Sequence, residues 1–513
     1  MAKVNKKTAK KQIKTNKSNK KYKSKSKKQS KRRKNNLTKR NFFWLIAIIV
    51  IIVAIVSIYN VFKPLPHGVS KLSSETKTDN VELLTDVTYK SKGKMHYNQE
   101  IFDKVNQTID EADDFIIMDM FLFNGYQTGD KAYPKIAERI TDSLIKKKQQ
   151  NPQIKIIVLT DPLNTFYGSY TPEHIKKLKA HNIDVHYTDL NQLRDSNPIY
   201  SGFYRTFVQW FGNSENGKLN NPLSSKAPDV TVRGYLNILN MKANHRKTLV
   251  TEKSGMVLSS NPHNPSGFHH NIGVRVSGPI QNAIIKSEIA MANLSGGNYD
   301  AHDFKIKNNS WEDNAPYTVQ LATEGKIKEK IIEHIKKSQS KDRISIGMFY
   351  LSDRDIINEL VKASKRNVDI KIILDINKEA FGKEKPGVPN KPVASELINR
   401  SNNNIKLRWA LSNGEQFHSK YLLFEQYENK NAVMILGSAN LTRRNIQDYN
   451  GEADIIIKGK QTDPPFKKLS TTFNHYWNND EHNLTAQYDE YKDEALWKKV
   501  LYRIQEKTGA SSF

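Results

Sequence analysis

Asn244-His245-Arg246-Lys247-Thr248-Leu249-Val250-Thr251-Glu252 and Phe417-His418-Ser419-Lys420-Tyr421-Leu422-Leu423-Phe424-Glu425 are two versions of one pattern. Each sets His and Lys two residues apart, continues with an apolar run, and places a carboxylate five residues after the Lys. In an alternating strand that His and Lys point to one face, where both can meet a single anionic group. One His-x-Lys has little weight, because chance supplies the pattern often; two matched copies are a different matter. Each copy is followed by a small polar turn, Ser259-Ser260-Asn261 and Gly437-Ser438-Ala439-Asn440, 16 residues from His245 to Asn261 and 22 from His418 to Asn440. The extra residues of the second copy fall in the polar loop from Glu425 to Asn431. Beyond each turn another apolar strand begins, entered by Asn271 in the first copy and Glu452 in the second.

Upstream the repeat continues. The apolar runs Phe115 to Leu122 and Ile344 to Leu351 read as buried strands, each followed by a helical segment and a second strand ending in Asp, Ile154 to Asp161 and Ile370 to Asp375. A third, weaker strand follows each, Ile183 to Tyr187 and Ile405 to Trp409. Strands alternating with helices give an α/β class with mainly parallel or mixed sheets. The expected organisation is two similar halves, residues 86–300 and 301–513, facing each other across one active site.

A phosphodiester needs a nucleophile, an acid for the leaving alkoxide, and cations for the phosphoryl oxygens. Two His and two Lys fill these roles. One imidazole can attack phosphorus and form a phosphohistidine, while the other protonates the leaving oxygen and then deprotonates the acceptor. Lys247 and Lys420 would bind the phosphoryl oxygens, with Ser259, Asn261, Ser438 and Asn440 completing a substrate-binding cradle. Glu452 and Asn271, at corresponding places, would fix each imidazole's tautomer and orientation. Glu252 and Glu425 read as structural support at the strand ends. Asp161 and Asp375 read as turn-forming rather than catalytic.

These motifs resemble the phospholipase D superfamily, whose signature is His-x-Lys-x4-Asp followed by Gly-Ser-x-Asn, present twice in two-domain members. The resemblance spans roughly residues 86 to 485, and the Asn-His-Arg-Lys and His-Ser-Lys wording is most similar to bacterial cardiolipin synthases. It implies His245 as nucleophile, His418 as acid/base, and metal-independent catalysis. The chain departs from that pattern in carrying Glu252 and Glu425 where Asp is usual, and Leu258 where Gly is usual.

No cofactor is expected. His263, His269 and His270 cluster after the first turn without a metal-ligand spacing, the chain has no Cys, and neither a Walker-type nor a dinucleotide glycine loop occurs.

The N-terminus carries a second message. Residues 1–41 hold 19 Lys and Arg within the first forty positions and no Asp or Glu, a self-repelling segment expected to be disordered. Residues 42–62 are almost wholly apolar, and 21 residues at helical rise span about 31 Å, enough for one transmembrane helix. The positive-inside rule puts the basic tail in the cytoplasm and the remainder outside, tethered by a polar linker at 63–85. Subtracting the tail's 19 charges from the net +28 leaves +9 for everything else. The high charge therefore reports topology, and nucleic acid is not expected as a partner of the catalytic part.

Between the third strand of the first half and its motif lies an insertion, about 191–233, that the second half lacks. Phe203, Phe207, Trp210 and Phe211 would share a helical face there, suited to a lipid interface or to core packing. From about Pro464 the chain reads as helices packing on the second half.

The resulting expectation is a membrane-anchored phosphodiesterase or phosphatidyltransferase acting on membrane phospholipid such as phosphatidylglycerol, in the manner of a cardiolipin synthase. The alternatives are a phospholipase D hydrolase giving phosphatidic acid, an extracytoplasmic nuclease, and an inactive lipid-binding module. Oligomeric state is left open.

Overall fold

The computed structural model describes residues 2–127, 132–307, 314–376, 379–380, 383–384 and 386–511. Two sheets of one design organise it. The first runs, edge to edge, Lys94–Asn98, Val81–Ser91, Asn271–Val276, Gly255–Leu258, Lys247–Thr251, Phe115–Met120, Lys155–Thr160 and Asp184–Tyr187. The second runs Thr76–Thr78, Tyr317–Thr323, Ala453–Lys460, Asn431–Gly437, Lys420–Glu425, Arg343–Met348, Asp369–Asp375, Ile405–Ala410 and Thr485–Gln487. From Val81–Ser91 to Asp184–Tyr187, and from Tyr317–Thr323 to Ile405–Ala410, strand order and pairing directions coincide. Register coincides as well: Met120 pairs with Lys247 as Met348 pairs with Lys420.

Both sheets are mixed. Parallel pairing is confined in each half to the three strands linked by helical crossovers. The strands around each His-x-Lys segment are antiparallel, and the turn that joins each motif strand to the next, after Thr251 and after Glu425, is too short for a crossover.

The sheets pack face to face. Ile117, Val250, Val257 and Val274 of the first share a core with Leu423, Met434, Leu436 and Ile455 of the second. Their sequence neighbours point outward beneath helices, Ile116, Leu249 and Met256 in one half and Leu422, Ile435 and Ile456 in the other. This period-two alternation puts the two sheets between outer layers of helix.

Three expectations are corrected. The presumed linker at 63–85 is largely part of the fold: Thr76–Thr78 adds an edge strand to the second half, Val81–Ser91 enters the first sheet, and the Ser70 amide donates to Glu324 Oε2 at 2.7 Å. Polar Ser and Thr residues can do this because edge pairing uses backbone groups. Helix Pro464–Asn478 bridges the halves instead of serving one. Its Phe466, Leu469, Phe473 and Tyr476 enter the shared core, and Lys468 Nζ donates to Leu83 O at 2.8 Å. The basic segment continues the apolar one as a single helix, Ala2–Phe62; Lys and Arg are good helix formers, and extending an existing helix avoids the cost of nucleation. This helix is long and apolar enough to cross a membrane.

Candidate active site

The two motif strands end beside each other where the halves meet. His245 N donates to Gly451 O at 2.8 Å and Gly451 N to Ala243 O at 3.0 Å, while His270 N donates to Gln416 O at 2.9 Å. Each short bridge joins the residue before a motif His to the residue before a proposed orienting side chain, Asn244 to Gly451 and Phe417 to His270. The approach at Gly451 is close: a Cβ there would lie 2.6 Å from Asn244 Oδ1 and force that side chain to shift.

The bridges decide which partner serves which imidazole. His245 Nδ1 lies 3.0 and 3.1 Å from the two carboxylate oxygens of Glu452, which belongs to the other half. His418 Nδ1 lies 3.3 Å from Asn271 Oδ1, again across the interface. The Asn271 amide nitrogen is spent on Asp86 Oδ2, Ser266 O and His269 O, so its oxygen faces the imidazole. Both partners accept, which puts the proton on Nδ1 and leaves Nε2 as the free ring nitrogen.

Ser259 and Ser438 do not line the cavity, contrary to expectation. Ser438 Oγ donates to Glu452 Oε2 at 2.5 Å and accepts from Ala453 N; Ser259 Oγ contacts Asn271 Oδ1 at 3.5 Å and accepts from Ile272 N. Both are fully buried and hold the cross-interface partners in place. Asn261 and Asn440 do reach the cavity, and the Asn440 amide oxygen is buried without a hydrogen-bond partner. Asn445 also donates to Glu452.

Lys247 and Lys420 are buried, each donating to the carbonyl of its own motif His, at 2.6 and 2.8 Å. Each ammonium also lies over an aromatic ring, Phe121 at 5.1 Å and Phe349 at 5.3 Å, and the same rings sit 4.8 and 5.1 Å from His245 and His418. These phenylalanines directly follow the matched strands Phe115–Met120 and Arg343–Met348. Their equivalent placement was visible in the repeat, although it reads there only as core.

Burial together with mutual repulsion disfavours the charged forms of the lysines and imidazoles in this site. Burial lowers Lys247 to about 7 against the pull of Glu452, and lowers Lys420 well below the ordinary lysine value, with Lys247 adding to the effect. Both imidazoles are held well below their usual value, first by burial and then by the lysines. Burial pushes Glu452 up to about 8, opposed by Lys247 and by the Ser438 and Asn445 hydrogen bonds. An oxyanion in the site favours every protonated cation, so their bound pKa values exceed the empty ones. Oxyanion binding should then take up protons, and affinity should fall as pH rises above about 7, up to tenfold per unit for each proton. Titration calorimetry of vanadate in buffers of different ionisation enthalpy measures the uptake; a pH-independent affinity would contradict this electrostatic account.

Asp161 and Asp375 are more than turn residues. Asp161 Oδ2 accepts from Asn244 N at 2.7 Å and Asp375 Oδ2 from Phe417 N at 2.9 Å, so each clamps the residue before a motif His. Asp161 also caps the following turn through Leu163 N, so the sequence reading holds there too. Their repeated place at the end of the second strand was the overlooked signal.

Glu252 and Glu425 lie away from the chemistry. Five strand residues separate each from its Lys, about 17 Å. Glu252 accepts from the amides of Asp113 at 2.8 Å and Asp114 at 3.2 Å, fixing the turn into the central strand, and Glu425 meets Ser470 Oγ at 3.4 Å. The Asp-to-Glu departure therefore changes a structural contact. Glu252→Ala should cost about 2–3 kcal/mol of stability, read by denaturant unfolding, and leave kcat of the folded protein near wild type.

The cavity between the halves has a volume of about 430 Å³. Both imidazoles open into it, with Phe121, Tyr126, Tyr167, Phe349 and Tyr350 among its aromatic walls. Arg444 and His269, which the motifs did not indicate, also line it. His263 also lines it and bonds Tyr126 O, while His270 lies outside it and bonds the Tyr476 hydroxyl. Among the described residues no group of three or more His, Asp or Glu could hold a metal ion.

A family profile described as "Cardiolipin synthase, PLD-like domain" matches residues 331–477, which include the second His-x-Lys and Glu452. The phosphatidylserine synthase of Haemophilus influenzae Rd KW20 shares the fold across both halves, with a TM-score of 0.51 at 11% identity over 88% of this chain and 96% of that one. Residues 331–477 form a phospholipase D-like domain. Other similar structures include polyphosphate kinase from Porphyromonas gingivalis, with 13% identity over 84% of this chain and 53% of that one and a TM-score of 0.39. The phospholipase D family member Nuc from Salmonella typhimurium has 24% identity over 34% of this chain and 98% of that one, with a TM-score of 0.25. No curated protein sequence matches the chain significantly. The doubled motif is brought to one cavity by the two halves.

Proposed function

We propose that this protein is a membrane-anchored phosphatidyltransferase that makes cardiolipin from two molecules of phosphatidylglycerol. The observation that carries the reading is the pair of imidazoles, each oriented from the opposite half, with free Nε2 atoms at one cavity and two buried lysines beside them. His245 is the nucleophile in this scheme. Its carboxylate partner can stabilise the cationic phosphoimidazole, whereas the amide of Asn271 leaves His418 the better proton donor.

His245 Nε2 attacks phosphorus of the first lipid and the bond to the glycerol headgroup breaks. The leaving oxygen takes a proton from His418. The headgroup hydroxyl of a second phosphatidylglycerol then gives its proton to His418 and attacks the phosphohistidine. Cardiolipin leaves and His245 is restored, so two phosphatidylglycerols become one cardiolipin and one glycerol. Lys247, Lys420 and Arg444 provide charge for the phosphoryl oxygens, and the aromatic walls suit glycerolipid chains. The basic tail favours a cytoplasmic N-terminus with the two halves outside.

The test gives full-length protein in liposomes labelled phosphatidylglycerol without added metal and reads products by mass spectrometry. Cardiolipin plus glycerol is expected. Phosphatidic acid in its place would make water the acceptor, and no lipid product at all would overturn the lipid reading.

A further inference from the structure

The insertion between the third strand and the first motif packs on the membrane helix. Its helix Pro198–Phe203 continues as a π-helical turn, Tyr204–Val208, and ends near Trp210 and Phe211. Ser57 Oγ donates to Pro198 O at 2.9 Å, Asp195 N to Asn60 O at 3.0 Å, and Arg194 Nε to Lys63 O at 2.9 Å. At Gly202 the backbones touch so closely that a Cβ would fall 1.8 Å from Ser57 Oγ and 3.1 Å from Val53 O.

These contacts set a depth. If the apolar span ends at Phe62, Ser57 and Val53 lie about 7 and 13 Å inside it at 1.5 Å per residue. Taking Tyr59 as the interfacial residue still leaves Val53 about 9 Å below it. A segment touching Val53 is therefore below the headgroups, and its composition agrees. From Pro198 to Phe211 the only charged residue is Arg205, which is turned inward and paired with Asp195 at 2.6 and 2.8 Å beside Lys242. Outward stand Ile199, Phe203, Phe207, Trp210 and Phe211, with Trp210 74% and Phe211 68% exposed. Large exposed aromatics with no charge among them are costly in water and suited to acyl chains.

The same segment holds a wall of the catalytic cavity. Ser196 Oγ donates to Met241 O at 2.8 Å and Asn197 Nδ2 to Leu239 O at 3.1 Å, while Ile238, Met241 and Lys242 line the cavity. We propose that Pro198–Phe211 is a membrane-embedded element, sunk in the leaflet that contains the end of the span, and that lipid enters the cavity sideways along it. The role as lipid gateway rests on the phospholipid reading above; the embedding does not.

The chain has no cysteine, so single-cysteine variants report one site each. Phe207→Cys and Trp210→Cys, carrying an environment-sensitive fluorophore in proteoliposomes, should show blue-shifted emission quenched by spin-labelled lipid and shielded from iodide. Tyr427→Cys, on the exposed loop after the second motif strand, should show the reverse. Water-like emission at both insertion sites would overturn the embedding, whatever the enzyme's substrate. The gateway is tested by the combined Phe203→Ser, Phe207→Ser, Trp210→Ser and Phe211→Ser variant. Turnover of vesicle phosphatidylglycerol should fall at least tenfold, with monomeric short-chain phosphatidylglycerol converted at the wild-type rate. Equal losses on both substrates would refute lateral entry. Wild-type protein inert on both would refute the phospholipid reading, and the gateway with it, while leaving the depth measurement standing.

Discussion

Replacing His245 by Ala should lower kcat by about 10⁴-fold or more, and His418→Ala by a comparable factor on natural lipid, because in the proposed scheme each group acts on the bonds that change. The two losses should differ in kind. Without His245 there is no atom to receive the phosphatidyl group, so no substrate forms a covalent enzyme. Without His418 the nucleophile remains, and what fails is protonation of a poor leaving group. A phosphodiester with a nitrophenolate leaving group needs no such proton. His418→Ala should therefore still give a rapid burst of nitrophenolate and a trapped phosphohistidine, seen by mass spectrometry of acid-labile adducts. His245→Ala should give neither. A burst in His245→Ala and none in His418→Ala would exchange the two roles. The distinction is available because the carboxylate stands beside His245 and only an amide beside His418.

Glu452→Gln should reduce kcat by on the order of 10²–10⁴-fold with little change in fold. Glu452 accepts from Nδ1 of His245 while also accepting hydrogen bonds from Ser438 and Asn445. A glutamine offers one acceptor where the carboxylate offers two, and an amide NH2 turned toward the imidazole would impose the other tautomer, protonating the nitrogen that must attack. The cationic intermediate also loses its counter-charge. Asn271→Ala removes only a neutral acceptor from His418, so a loss nearer tenfold is expected. The comparison requires single-turnover measurement with nitrophenolate substrate. Formation of the phosphoenzyme should be slowed by Glu452→Gln and nearly unaffected by Asn271→Ala. Equal slowing by both substitutions would mean that the asymmetry of the partners has no chemical consequence.

The candidate catalytic groups were legible because they repeat. His245 with Lys247 and His418 with Lys420 share spacing, strand context and following turn, and local periodicity places each pair on one face without knowledge of the rest. Glu452 and Asn271 were also legible as entrants to the strand after each turn. The serines misled. Small polar residues between glycine or leucine and asparagine suggest a phosphate cradle, yet Ser259 and Ser438 spend their hydroxyls on Asn271 and Glu452 and on strand amides. A hydroxyl's partner depends on which chain lies opposite, and that is a tertiary fact. The aspartates Asp161 and Asp375 misled for the same reason: a strand-ending Asp can cap its own turn, and only the fold brings Asn244 and Phe417 within its reach.

By itself the sequence determined the doubled α/β unit, the two His-Lys pairs and an N-terminal apolar span, because these follow from residue type and short-range periodicity. Only the tertiary structure decided that Glu452 serves His245 and Asn271 serves His418, since that exchange depends on the halves meeting through the Asn244–Gly451 and Phe417–His270 bridges. It also decided that the aromatic insertion lies against the N-terminal apolar helix at Ser57 and Val53. Both are contacts between segments over one hundred residues apart, where no local pattern constrains the partner and packing of the whole chain does.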